Sequence, residues 1–278
     1  MALNSLRFLS RYLVHSWIVA FTCLCFPVII LANVWPAFGR RWYALAFFTT
    51  SNLMRLIDFD RKANLFAHLT AKADEHRHEG KGALHVLEIG PGTCVNFQYY
   101  SKGSRISTVE RNPVFQERLP LIRQQYPHLV IEDSILADAE HLDMVADNSV
   151  DVVVATYILC CATDPVQMLR EFHRILKPVS HAVSWCAPSD SLCPNQGGYF
   201  LTHEYEPQVL GRGPRAVLWF LALKCWQYYL VGCHAGQQDM RRTMRDVGFD
   251  VSRLKLISKT DVSPTPFRTA FLGPAVKP

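Results

Sequence analysis

Apolar and polar positions divide this chain into stretches with different periods. From Trp17 to Trp35, about nineteen positions, only Thr22 and Asn33 are polar; Arg7, Arg11 and His15 precede the run, and Arg40 and Arg41 follow it. As one helix at ~1.5 Å per residue it is about 28 Å long, close to the hydrocarbon thickness of a bilayer, and it reads as a membrane anchor. A cleaved signal peptide is disfavoured because no small-x-small cleavage site precedes Trp35 and Pro36; a buried core helix is the remaining alternative. Pro27 allows a kink or a re-entrant hairpin, and the basic flanks leave orientation open. Trp42 to Leu69 is apolar-rich with charges interspersed, which predicts a second helix lying at the interface and covering the domain that follows. Ala71 to Gly82 turns charged and glycine-bearing, the composition of a linker.

Beyond Leu84 the periods shorten and alternate. Leu84 to Ile89 is an apolar run of strand length that stops at Gly90-Pro91-Gly92. Arg105 to Val109, Leu129 to Glu132 and the β-branched run Val150 to Ala155 predict further strands, the last covered on both faces. Pro113 to Gln125 predicts a helix with Asn112 as N-cap, and Pro165 to Leu176 an amphipathic helix burying Val166, Leu169, Phe172, Ile175 and Leu176. Gln237 to Val247 predicts a helix stopped by Gly248, followed by strands at Phe249 to Ile257 and Phe267 to Leu272. The aromatic stretch Arg215 to Val231 caps a pocket, touches a bilayer or is plain core. This alternation argues an α/β fold with a doubly wound parallel sheet, whose ligands sit at the carboxyl ends of the strands. The organisation is then an anchor over 1–41, an interfacial helix and linker over 42–82, and the α/β domain over 83–278.

Composition narrows the class. At 278 residues and 49% hydrophobic the chain buries a substantial core, and its charge of +5, from 29 basic and 24 acidic residues, is spread without a Lys/Arg block. That excludes a nucleic-acid footprint and leaves at most a mild bias toward an anionic membrane surface. Nine cysteines with no Cys-x-x-Cys pair, several inside apolar runs (Cys23, Cys25, Cys160, Cys161, Cys225), predict free thiols rather than a disulfide framework or a zinc site. No metal is expected. Cys160 and Cys161, at a strand end, are expected to point to opposite faces. His76 and His78 read as a solvated loop.

The candidate chemistry sits at the glycine turn. Without Cβ atoms, Gly90 and Gly92 let the backbone approach a ligand closely, and Glu110, at the tip of the second strand, is placed to accept hydrogen bonds from a ribose diol. A nicotinamide dehydrogenase fits less well, because the third glycine of its fingerprint is missing at Val95 or a neighbour.

These residues resemble a known superfamily. Glu88-Ile89-Gly90-Pro91-Gly92-Thr93 is similar to the first motif of class I S-adenosylmethionine-dependent methyltransferases, Glu110 to their ribose-holding acid, and Asp138-Ala139-Glu140 to their adenine-contacting segment. Asp147 to Val153 and Leu169 to Pro178 resemble the fourth strand and the helix after it. The resemblance implies a Rossmann-like, doubly wound, mostly parallel seven-stranded sheet. It also implies S-adenosylmethionine as cofactor, held by Glu88, Gly90, Gly92, Thr93, Glu110, Asp138, Ala139 and Glu140.

Within the superfamily the chain resembles the methyltransferase-like protein 7 group of membrane-bound thiol S-methyltransferases. The anchor, Asn96-Phe97, the run Asp151 to Cys160, Asp164-Pro165, Gly232-Cys233 and the tail Gly273 to Lys277 carry that likeness. It implies a small thiol acceptor, with the enzyme on the cytosolic face of the endoplasmic reticulum membrane or on lipid droplets. On the acceptor side Tyr157, His203 and Glu204 are the catalytic candidates, with His234 behind them. A lipid or quinone methyltransferase and a catalytically silent membrane scaffold stay open as alternatives.

Two features depart from the family pattern. Cys94 stands where Gly or Ala is usual, which predicts weakened cofactor binding. Val179 to Gln196, eighteen residues, separate Lys177-Pro178 from Gly197-Gly198, which the family joins directly. A segment that begins with Val (codon GT-) and ends with Gln (codon CAG) is what a retained in-frame intron would leave; a lineage-specific loop is the alternative. Either way it is expected at the amino end of the fifth strand, opposite the cofactor.

Overall fold

A computed structural model of the chain describes residues 27–28, 30–32, 34–78, 80–178, 197–206, 239–257 and 269–278. Most of the apolar run 17–35, the segment 179–196, the stretch 215–231 and His234 lie outside the described residues. Among the described residues no helix is long and apolar enough to cross a membrane.

The first described element is a 43-residue helix, α1 (Pro36–His78). It covers the predicted helix and continues through most of the segment read as a linker. Ala71 and Ala73 favour the helix, Ala73 is buried, and the chain breaks only beyond His78, where Gly80 and Gly82 take positive φ. His76 and His78 therefore lie in the last helical turn rather than in a loop, where basic groups suit the helix dipole. Lys62, Leu65, Phe66, Leu69 and Ala73 are buried, spaced as one helical stripe.

The sheet contains β1 (His85–Ile89), β2 (Arg105–Glu110), β3 (Val130–Leu136), β4 (Val152–Thr156), β5 (Tyr199–Glu206), β6 (Lys255–Ile257) and β7 (Thr269–Val276) in the order β3-β2-β1-β4-β5-β7-β6. β7 pairs antiparallel with both β5 and β6, so the sheet is mixed: the parallel sheet argued from the alternation is corrected at that one strand, and seven strands are present as the resemblance implied. The remaining pairings are parallel. Of the run predicted as a strand from Phe249, Lys255–Ile257 forms β6 and Asp250 makes an isolated antiparallel bridge to Val276, while the last strand extends to Val276.

Between the strands lie α2 (Pro113–Gln116), α3 (Leu119–Gln125), α4 (Pro165–Ile175) and α5 (Met240–Val247). The single helix expected over Pro113 to Gln125 is two, because Pro120 has no N–H to continue the ladder. Asn112 caps α2 by accepting from the Val114 N–H at 3.1 Å, and Asp164 caps α4 through the N–H groups of Val166 and Gln167. Gly248, at φ +113°, ends α5.

Strand parity sorts the core. Leu87, Val153, Ala155 and Phe200 face a cluster with α4 and α5, while Val86, Val152, Val154 and Leu201 face a second cluster with α1. Glu88, two residues after Val86, falls on the α1 face. At the amino end of β5 the Gly198 N–H donates to the Lys177 carbonyl at 2.6 Å, and a Cβ at Gly198 would lie 2.9 Å from the Lys177 nitrogen. The flanks of segment 179–196 thus meet at the edge opposite the carboxyl ends of the parallel strands.

Candidate active site

The chain reverses its direction of travel across the sheet between β1 and β4, which opens a crevice at the carboxyl ends of these strands. After β1 the backbone curls with Gly90 at φ +60° and Gly92 at φ +52°, and the Gly90 N–H donates to the Val109 carbonyl at 2.8 Å. A Cβ would lie 2.3 Å from Ile158 Cδ1 at Gly90 and 2.8 Å from Phe47 Cε1 at Gly92. A side chain at either position would be strained by the positive φ and would have to displace Ile158 or Phe47, which roof the curl.

Glu110, at the end of β2, turns its carboxylate to this curl. Oε2 accepts from the Gly92 N–H at 3.2 Å and Oε1 from the Asn112 N–H at 2.9 Å. Burial raises its pKa, opposed by those backbone N–H groups. Asp138, Ala139 and Glu140 follow β3 along the same edge. Asp138 Oδ1 accepts from the Glu140 N–H at 3.3 Å, and Glu140 Oε1 accepts from the Thr163 N–H at 2.6 Å, tying this loop to the start of α4. Thr93 is half-buried on the curl. The glycine cradle, a buried carboxylate facing it and a fixed loop beyond β3 together fit a nucleoside.

Glu88 stands differently. Its carboxylate is wholly buried, accepting from the Tyr100 hydroxyl at 2.7 Å and from the Asn96 amide at 2.9 Å. Burial pushes its pKa up to about 7, against the pull of Tyr100, Asn96 and the Lys62 charge. Asn96 also donates to the Thr156 hydroxyl at 3.1 Å and accepts from Lys62 Nζ at 2.8 Å. Glu88 therefore anchors a network that joins the curl, β4 and α1.

Of the acceptor-side candidates, Tyr157 and His203 come together and Glu204 turns away. The Tyr157 hydroxyl lies 3.0 Å from His203 Nδ1, and the rings are 4.7 Å apart. Tyr157 sits at φ +59°, a backbone conformation that costs a non-glycine residue on the order of 1 kcal/mol and clusters at functional sites. Glu204 Oε1 instead accepts from the N–H groups of Ile158 and Leu159, at 2.6 and 3.0 Å, and caps the short turn Leu159–Cys161. Burial pushes its pKa up to about 8 despite those two donors. On that turn Cys160 and Cys161 converge, with their sulfurs 3.8 Å apart, because the chain has left the extended geometry that would send them to opposite faces.

Sequence reasoning missed Lys62, whose Nζ lies 5.5 Å from the Tyr157 ring centroid. The signal was a lysine in register with Leu65, Phe66 and Leu69 on the buried stripe of α1.

The chain is similar to known methyltransferases. A family model described as a methyltransferase domain matches residues 87–183. The chain is 33% identical over 195 residues to thiol S-methyltransferase TMT1B of Rattus norvegicus, covering 69% of this chain and 68% of that protein. It is 34% identical over 148 residues to thiol S-methyltransferase TMT1A of Homo sapiens, covering 52% and 58%. A solved methyltransferase structure from Galdieria sulphuraria superposes with a TM-score of 0.50 at 15% identity, over 74% of this chain and 67% of that one, and shows the shared fold. This chain belongs to the thiol S-methyltransferase family and is an S-adenosylmethionine-dependent methyltransferase.

Proposed function

We propose that this enzyme methylates the sulfur of a small thiol at the carboxyl edge of its sheet. The observation that carries the reading is the glycine curl faced by Glu110, beside the Tyr157–His203 pair, in a chain 33% identical to a thiol S-methyltransferase. When bound, S-adenosylmethionine supplies an electrophilic methyl group on a sulfonium sulfur. Glu110 would hold the ribose hydroxyls, the curl at Gly90, Gly92 and Thr93 the amino-acid end, and Asp138 to Glu140 the adenine. Glu88 acts indirectly, by fixing Asn96 and Tyr100.

In-line methyl transfer mainly requires alignment and desolvation of the two sulfurs. A cysteine-type thiol has a pKa of about 8.5 and reacts as its thiolate, so proton removal need not be strong base catalysis. Tyr157 and His203 are placed to accept that proton through the phenol oxygen and Nδ1. Glu204 shapes the turn that carries Ile158.

On its sequence, the run 17–35 attaches the enzyme to a membrane in this reading, on the cytosolic side of the endoplasmic reticulum or on lipid droplets. Resistance of the full chain to alkaline extraction from membranes, lost on removing 17–35, tests that attachment. For the chemistry, methyl-labelled cofactor is incubated with alkyl thiols, hydrogen sulfide and isoprenoid quinones. Labelled methyl thioether is expected. Label in quinone or lipid only, or cofactor binding with no methylated product, would replace the thiol reading with the lipid or scaffold reading. Glu110→Ala is expected to weaken cofactor binding by calorimetry roughly 10- to 100-fold, since it removes the diol acceptor and orphans two N–H groups.

A further inference from the structure

A lysine on the buried stripe of a helix carries its ammonium to the place where its polar partners hold it. Lys62 is 6% exposed and enters the site from α1, opposite the ends of β1 and β4. Its Nζ donates to Asn96 Oδ1 at 2.8 Å, and the Asn96 amide nitrogen is committed to Glu88 and Thr156. The amide cannot flip without breaking three hydrogen bonds, so the ammonium is held at a fixed place. Asn96 also stands between the ammonium and the Glu88 carboxyl, so the two charges meet opposite ends of one neutral amide. Beyond Lys62 lies the face of Tyr157, whose hydroxyl is bound to His203.

We infer that the Lys62 ammonium is the acceptor-binding cation of this enzyme, holding the incoming sulfur as its thiolate beside Tyr157. The inference rests on the thiol reading above. A cation next to a bound thiol favours the ionised form, and it repels the sulfonium, so it belongs on the acceptor side of the transferred methyl. The step balances: the thiol proton leaves to Tyr157–His203 or to solvent, the thiolate pair forms the new sulfur–carbon bond, and the sulfonium sulfur keeps the pair of the bond that breaks. The titratable groups facing Lys62 from the sheet are Glu88, which its charge pulls toward ionisation, and Tyr157, with Tyr100 and His203 behind them; the readout is therefore the ratio between thiols within each protein at one pH, in which a change at Glu88 is shared.

The test uses the full chain with Lys62→Met and Lys62→Arg, and thiols of graded acidity at one pH. With Lys62→Met, kcat/KM for a weakly acidic alkanethiol should fall about a hundredfold, the scale of a neighbouring charge. For a nitrothiophenol, already ionised in water, the fall should stay below about fivefold on the same grounds, and the cofactor Kd should hold within about twofold. Lys62→Arg should keep most of the alkanethiol activity. In wild type, bound nitrothiophenol should ionise at lower pH than in solution, read by its visible absorbance, which keeps the test open if a variant does not fold. A uniform loss across thiols overturns the inference, and so does a weakened cofactor Kd with unaltered thiol dependence, which would assign Lys62 to the cofactor's carboxylate. If the wild type methylates other acceptors but no thiol, the thiol reading fails and this inference falls with it.

Discussion

Cys94 holds its backbone at φ +56° inside the curl, in the left-handed region that glycine enters freely. That is the physical meaning of its departure from the family pattern: the family's glycine costs nothing there, whereas Cys94 costs on the order of 1 kcal/mol. Its side chain is buried, and burial, with Glu88 and Glu110 nearby, drives the thiol pKa far upward, so it is an inert filler. Cys94→Gly should leave stability within about 1 kcal/mol, strain relief offsetting lost packing, and should tighten cofactor binding severalfold by calorimetry.

Glu204 gives a second test at this scale. Its folded pKa, about 8, lies above its ordinary 4.5, so the native state holds the proton more tightly than the unfolded chain. The stability it contributes is complete below about pH 4.5 and is lost as pH rises through about 8. Thermal melts between pH 5 and 9 should therefore show a falling Tm that Glu204→Gln flattens; an equally steep fall in the variant would refute the assignment. Glu110 was legible because an acid at a strand tip has one geometric meaning, and Tyr157 and His203 because paired strand ends bring Thr156 and His203 into register. Lys62 was not, since a helix of mixed polarity hides which face is inward until its partner is known.

Among the elements, α1 contributes most to the site and was the hardest to bound from sequence. Its first turns dock through aromatic rings: Phe115 of α2 lies 6.3 Å from Tyr43, 5.7 Å from Phe47 and 5.7 Å from Phe48, and Asn112 donates to the Arg40 carbonyl at 3.1 Å. Its later turns dock through Phe66 on Tyr99 and Tyr100, and through the Tyr199 hydroxyl on the His68 carbonyl. Phe47 roofs Gly92, so docking of the first turns and the shape of the curl are linked. Phe115→Ala should cost about 3 kcal/mol and raise hydrogen exchange selectively over residues 36–48, with the sheet amides still protected. Helix starts marked by Asn112 and Asp164 could be read in advance because their side chains cap locally. The break at Pro120 and the helical course of 71–78 depended on which of two local tendencies tertiary packing favoured.

For the whole molecule, alternating strands and helices made the parallel part of the sheet legible, since parallel strands need a crossover connection, usually helical, between them. The reversed β7 was not, because an antiparallel neighbour leaves no period of its own. The edge opposite the site holds a further consequence. Lys177 and Gly198 are joined by a carbonyl-to-amide hydrogen bond of 2.6 Å, although eighteen residues, 179–196, lie between Pro178 and Gly197. Ligating Pro178 directly to Gly197 would turn that same bond into the closing link of a four-residue reverse turn, with proline second and glycine third, the residues a type II turn asks for. The shortened polypeptide should melt within a few degrees of the full one and bind cofactor equally well. A transcript lacking those eighteen codons would then encode the same enzyme, the splice being silent to the architecture on either side.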